Sequence, residues 1–248
     1  MPTAAFRGLW AFSFTEFYVQ LHEAASIATS LIVQVVLLIF VRILAPQLLG
    51  VALFGAILFS LFTLGQRVQN EAAFIRIDHK LNELYLASPL RPESYFLGLS
   101  IGILAAYLTP VLLLVAVTAG LIGLSWTTAA VLALVGASLW LITSSIGYVI
   151  STLFRDMRAI WPYASIFSNV FGVLPPVFYP IALLPTVYRP IALVMPPSAA
   201  AGLVQTSIAP GTLSGAEVVL AGLALLIETS LLFGFAVYWS RVTVREDA

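Results

Sequence analysis

The side chains able to do chemistry are few in this chain, and they are scattered. Ser144 and Ser145 stand together inside one long apolar stretch. A serine nucleophile needs a base within hydrogen-bond reach, yet the two histidines, His22 and His79, belong to other, more polar segments. Serines at such a depth ordinarily help helices pack or bond to the backbone. Two histidines in separate segments, with no cysteine anywhere, make a poor structural zinc site. The lack of cysteine also removes disulfides and thiol catalysis. A phosphate-binding loop needs G-x-x-x-x-G-K-[ST], so that backbone N–H groups reach the phosphates while the lysine contacts the terminal ones. The single lysine is Lys80, preceded by His79, so no such loop exists here. Glu228 is the sharper candidate, because it sits near the middle of an apolar stretch. An ionised side chain there costs at least about 2–3 kcal/mol. Three readings stay open for it: a carboxyl that holds its helix against a neighbour, a polar point on a substrate path, or a proton-coupling acid. Gln34, inside another apolar stretch, is a possible polar contact for it.

The elements that carry these residues are written for lipid. Of 248 residues 61% are hydrophobic and 9% charged, against roughly 25% charged in an ordinary soluble domain. The chain reads as an integral membrane protein. Its net charge of zero therefore says little, and only the placement of the charges informs. A membrane helix needs about 20 mainly apolar residues, since the hydrocarbon is roughly 30 Å thick. Six segments meet that need, at about 24–41, 48–65, 95–118, 127–154, 160–174 and 217–239. Pro110 predicts a kink in the third. The fourth is long enough to tilt or project beyond the bilayer, and the fifth loses regularity at Pro175 and Pro176. Residues 175–210 are apolar but hold eight of the fourteen prolines. Backbone groups freed by proline cannot face lipid, so this stretch predicts short helices that dip into the outer surface and turn back. A seventh, distorted span is the alternative.

Six spans place Arg7, Arg67, Arg76, Lys80, Arg91, Arg155, Arg158, Arg241 and Arg245 on one side, and Arg42 and Arg189 on the other. That asymmetry makes both termini and the 66–94 loop cytoplasmic, in a multi-pass protein of the cell membrane. A seventh span would weaken it. The N-terminus is broken by Glu16, His22 and Glu23, which does not read as a cleaved signal peptide. In residues 4–22, Phe6, Trp10, Phe14, Phe17 and Leu21 recur at three and four, one aromatic stripe of a helix lying in the membrane interface. It serves either as an anchor or as a contact for a cytoplasmic partner.

From Arg67 to Pro92 the chain makes its largest cytoplasmic excursion. In a helix over 75–87, Ile77, Leu81, Leu84 and Tyr85 share one face, while Asp78, Asn82 and Glu83 lie on another. Pro89 and Pro92 then stop the helix. Such a narrow apolar ridge suits a groove on another protein, with the charges fixing its register. Rest on lipid headgroups is the equal alternative.

The order E-L-Y-L-A-S-P-L at 83–90 resembles the loop after the second span in type-2 ABC exporter permeases, although Lys80-Leu81-Asn82 stands where that family has a glycine. Residues 175–205 are similar to the family's outer segment, with Phe-x-Pro, Leu-Pro and Met-Pro elements; Gln205 stands near the place where the family often has a basic residue. The resemblance covers nearly the whole chain and implies an all-α integral membrane permease. Its plan is six transmembrane helices, an N-terminal interfacial helix, a cytoplasmic coupling helix between spans 2 and 3, and re-entrant outer helices between spans 5 and 6. It further implies ATP-driven export of a hydrophobic or amphipathic substrate, of drug, lipid or glycan type, through a dimer. The implied partners are a separate ATP-binding subunit, a second permease copy or homologue, and membrane lipid; no nucleic acid and no cofactor or metal on this chain are expected. Ile77, Leu81, Glu83, Leu84, Tyr85 and Pro89 would form the ATPase-coupling contact, aided by the interfacial helix through Phe6, Trp10, Phe14 and Phe17. Gln34 and Glu228 would lie on the substrate path. A proton-coupled carrier or channel using Glu228 is the alternative, and a non-transporting scaffold a further one.

Overall fold

The protein is described here by a computed structural model covering residues 2–77, 91–173 and 175–246. Among these residues the regular structure is helical throughout. Helix α1 (Pro2–His22) is followed by α2 (Ala24–Leu44), α3 (Leu49–Ile77), α4 (Pro92–Ile122) and α5 (Trp126–Leu153). Then come α6 (Met157–Phe167), a π-helical turn over Ser168–Val173, α7 (Arg189–Leu193), α8 (Pro196–Ile208) and α9 (Gly215–Glu246). Short 3-10 turns lie at Pro46–Leu48 and Ile181–Leu183.

Local chemistry sets most of these limits. The α2 helix runs until Ala45, whose backbone leaves the helical region before Pro46, as the residue preceding a proline tends to do. Helix α4 opens on Pro92, with Glu93 in its first turn. Proline has no N–H to leave unsatisfied there, and the carboxylate complements the helix dipole. It closes at Gly123, whose φ of 77° disfavours any residue with a β-carbon. Ser125 then caps α5, its Oγ accepting from the Thr128 N–H at 3.1 Å. Ser214 and Glu217 cap α9 reciprocally: the Ser214 N–H donates to Glu217 Oε2 at 2.7 Å, and the Glu217 N–H to Ser214 Oγ at 3.3 Å.

Five helices are long and apolar enough to cross a membrane: Ala25–Leu44, Pro46–Ile77, Pro92–Ile122, Trp126–Leu153 and Gly215–Thr243. They cover five of the six expected spans, and the protein is a multi-pass membrane protein. The second does not stop near Gly65 but stays helical to Ile77. Its residues 66–76 are polar, yet they contain neither glycine nor proline to break the helix. Arg67 therefore stands inside α3, not in a loop. The segment expected as the fifth span divides into the eleven residues of α6, which contain Pro162, and the six-residue π turn.

The centre of the fold is the α3–α5 pair, with α4, α8 and α9 packed around it. Leu53, Ile57, Leu139, Ile142, Ile181, Leu193 and Val204 fill one end of the core, while Val68, Phe96, Leu99, Ile103 and Tyr148 fill the other. Helix α1 lies along α4 and buries Phe12, Ser13, Glu16 and Gln20. Gly98 and Gly102 of α4 make room for it: a β-carbon on Gly98 would fall 2.7 Å from Phe12 Cδ1, and one on Gly102 2.5 Å from Glu16 Cβ. Small residues four apart allow such close helix approach. The aromatic stripe faces the other way, with Phe6, Trp10 and Phe14 well exposed and Phe17 half-buried.

The proline-rich stretch forms short helices and turns packed on the bundle, with α8 buried against α3, α5 and α9. Gln205 holds it together. Its Oε1 accepts from the Ile181 N–H at 2.9 Å, and its Nε2 donates to the carbonyls of Pro176 and Tyr179 at 3.3 and 3.2 Å. A neutral amide can both donate and accept here, which a basic side chain could not.

Candidate functional site

Two polar stripes face each other across an otherwise apolar bundle. On α3, Ser60, Thr63, Arg67 and Asn70 recur at three and four; on α2, Ser26, Ser30 and Gln34 recur at four. Helical periodicity puts each set on one face. Between them, closed at the back by Tyr107, Pro110, Val111 and Leu114 of α4, lies a cavity of about 380 Å³. Pro110 cannot donate to the carbonyl of Ala106, so one backbone acceptor of α4 is released from the helix ladder beside the cavity.

Arg67 is the charged side chain in this lining. Its Nη1 donates to Ser26 Oγ at 2.7 Å and its Nη2 to the Ser26 carbonyl at 3.4 Å. The guanidinium carbon sits 4.0 Å from the centre of the Tyr107 ring, a cation–π contact. The Tyr107 hydroxyl donates in turn to Ser26 Oγ at 3.3 Å. Three helices are thus tied at one point. Among the described residues no carboxylate stands within ion-pairing distance of Arg67, and the described ion pair is Arg241 with Glu93.

Gln34 lines the same cavity and is only 4% exposed, and its Oε1 has no hydrogen-bond partner among the described residues. Asn70 Oδ1, also buried, is in the same position. Buried amide oxygens left unpaired cost about 1–3 kcal/mol each, so these two are acceptors waiting for a donor. Of the lining residues, Thr29 and Val33 of α2 and Trp161 of α6 are exposed, and they mark where the cavity opens. Val33 is 57% and Trp161 59% exposed, so the opening gives onto an apolar flank of the bundle.

Glu228 is placed elsewhere. It is half-buried on α9, outside the cavity lining, and its Oε2 has no partner among the described residues. Gln34 and Glu228 are therefore not brought together at this site. Ser144 is buried in α5 with its Oγ unpartnered, while His22, the histidine among the described residues, ends α1 with Nδ1 2.8 Å from the Tyr18 carbonyl. Among the described residues no group of three His, Asp or Glu is placed to hold a metal.

Of the residues expected to couple to an ATPase, Ile77 ends α3, whereas Leu81, Glu83, Leu84, Tyr85 and Pro89 lie outside the described residues. The flanks of that loop are both tethered. Just before it, Arg76 Nη2 donates to the carbonyls of Ser151 and Phe154, at the end of α5. Those carbonyls have no intrahelical partner, and a cation suits them. Just after it, Glu93 pairs with Arg241 of α9 at 3.3 Å. Trp239 Nε1 ties α9 back to α5 by donating to Thr152 Oγ1 at 2.8 Å.

Sequence reasoning assigned Arg67 to a loop and so missed the cavity. The signal was present in the four-residue spacing of polar side chains in two apolar segments and in the missing helix breaker after Gly65. A comparison with protein families matches residues 7–208 to ABC-2 type transporter membrane domains. No curated protein matches the chain. With a family match over most of its length and five helices fit to cross a membrane, the chain belongs to the ABC-2 type transporter family as a permease subunit.

Proposed function

We propose that this permease is the membrane half of an ATP-driven exporter that works as a dimer with a separate ATP-binding subunit. The family in general partners with such a subunit. The observation that carries the mechanical reading is the double tether around residues 78–90, Arg76 to the end of α5 and Glu93 to α9. Force applied to that loop is passed to two helices of the bundle and not lost in a slack connection. The loop is the coupling element, and Ile77, Leu81, Leu84 and Tyr85 form its docking ridge, with Glu83 and Pro89 fixing register and end. The loop and both termini are cytoplasmic.

In this reading α6 and the π turn together make the remaining crossing. Their 17 residues (11 and 6) rise roughly 25 Å, near the lower limit for a membrane span. Residues 175–210 then lie at the outer surface, and α1 lies in the interface with Phe6, Trp10, Phe14 and Phe17 toward lipid headgroups. The substrate is hydrophobic or amphipathic, and Gln34 marks its path.

The test is Leu84→Asp. It should abolish co-purification with the ATPase while leaving membrane insertion intact; normal binding by this variant removes the ridge as the contact. A proton-coupled carrier is a second reading, favoured by the buried and unpartnered Glu228 Oε2. Glu228→Gln separates the two, since ATP-driven transport that continues unchanged removes the carrier.

A further inference from the structure

The cavity between α2, α3 and α4 has a chemistry that selects among amphipathic ligands. We infer that it receives the head group of an anionic, hydroxyl-bearing amphiphile that slides in sideways from the bilayer. The inference rests on the permease reading only in naming the substrate class of that path.

Charge comes first. Arg67 is the ionised side chain of the lining, and its two bonds to Ser26 occupy two of the five N–H groups of a guanidinium. Glu23, within electrostatic range of Arg67, lies outside the lining. A phosphate or carboxylate that reaches the guanidinium gains charge-assisted hydrogen bonds in a low-dielectric site. A cationic head group meets no acid in the lining and is repelled by Arg67.

Hydrogen-bond capacity comes second. The Gln34 and Asn70 side-chain oxygens need donors, which the anionic group itself cannot supply. Hydroxyls on the head group can. The Oγ atoms of Ser30 and Ser60 already donate to helix carbonyls, so they face the cavity chiefly as acceptors and favour the same hydroxylated partner.

Shape comes third. A volume of about 380 Å³ is at the small end for ligand pockets, which run from about 300 to 1,000 Å³. It accommodates a polar head but not a pair of acyl chains as well. The mouth at Val33 and Trp161 lets the tail remain outside, against apolar side chains.

Trp161 at the mouth supplies the readout. The purified full-length chain is placed in nanodiscs of phosphatidylcholine, and phosphatidylglycerol with brominated acyl chains is added stepwise. The Trp161 contribution is isolated by subtracting Trp161→Phe. The expected result is saturable quenching at low mole fraction of phosphatidylglycerol, absent with brominated phosphatidylcholine. Arg67→Gln should raise the half-maximal mole fraction by about tenfold, and Arg67→Lys by less, in keeping with a charge-assisted contact. Gln34→Leu, which leaves the Arg67 ties intact, should also weaken it and keeps the test sharp where Arg67→Gln fails to fold. Equal quenching by both lipids, or an unchanged midpoint in a folded Arg67→Gln and in Gln34→Leu, overturns the inference. So does displacement by soluble glycerol phosphate without any lipid preference, which would mark a site for a free anion. The measurement needs no ATPase, so binding seen without ATP-driven transport counts against the permease mechanism alone, and transport without the lipid preference counts against this site alone.

Discussion

Gly65 of α3 and Gly147 of α5 meet backbone to backbone: a β-carbon on Gly147 would collide with the Gly65 carbonyl oxygen, and one on Gly65 with the Thr143 carbonyl. This crossing is the tightest in the central pair, and it has no flexible side chain to yield. Gly147→Val should therefore destabilise the protein by more than the roughly 1–3 kcal/mol typical of overpacking. Gly222→Ala, where a β-carbon has open space, should be neutral or slightly stabilising, as expected for replacing a glycine inside a helix. Thermal unfolding of both variants in the same detergent checks the contrast.

Glu16 gives the docking of α1 a pH dependence. It is buried against α4, and burial together with the nearby Glu71 pushes its carboxyl up to about 7. A carboxyl raised in the packed state adds stability that is fully present below its ordinary value near 4.5 and is lost as pH rises through about 7. Across that window the change approaches about 3 kcal/mol at 1.36 kcal/mol per unit. Stability should be higher at pH 5 than at pH 8, and Glu16→Gln should flatten the difference. Limited proteolysis of α1 across the pH range reads it.

Arg76 should matter for coupling more than for binding. Hydrogen bonds from a charged donor are worth about 1.5–3 kcal/mol, and 1.4 kcal/mol is tenfold. Arg76→Ala should leave the ATPase attached and hydrolysing while transport per ATP falls by roughly tenfold. Loss of ATPase binding in this variant would instead make Arg76 part of the docking contact. Glu93→Gln should do much less, because the Arg241 pair is partly solvated.

Gln205→Leu removes three hydrogen bonds from the turn before α7. The buried Ile181 N–H is left without its acceptor, at a cost of about 1–3 kcal/mol. Hydrogen exchange at Ile181 should rise by roughly tenfold or more, while exchange in the α3–α5 pair stays unchanged.

How far the sequence foretold the structure depended on whether a feature was local. Hydropathy placed α2, α4 and α5 within a few residues, helped by Pro46 after α2, Pro92 and Gly123 at the ends of α4 and the capping Ser125 before α5, whereas α9 runs on to Glu246, beyond its expected end near 239. It misjudged α3, where Gln66, Arg67, Gln69 and Asn70 looked like the start of a loop; polarity alone does not end a helix, and residues 66–76 hold no glycine or proline to break it. The aromatic stripe of α1 was legible, but not that Ser13, Glu16 and Gln20 are buried or that Phe12 and Glu16 pack on Gly98 and Gly102, since that depends on a partner helix some 80 residues away. Gln34 was picked out as a polar residue out of place. Its companions were not, because Arg67 and Tyr107 join it only through the crossing of α2, α3 and α4.

Entry to the cavity past the exposed apolar side chains of Val33 and Trp161 is entry from the lipid side. A molecule reaching it travels within the plane of the lipid sheet, so the quantity that governs occupancy is its share of the surrounding lipids, not its amount per litre of water. Diluting the suspension tenfold at fixed membrane composition should leave the site as full as before.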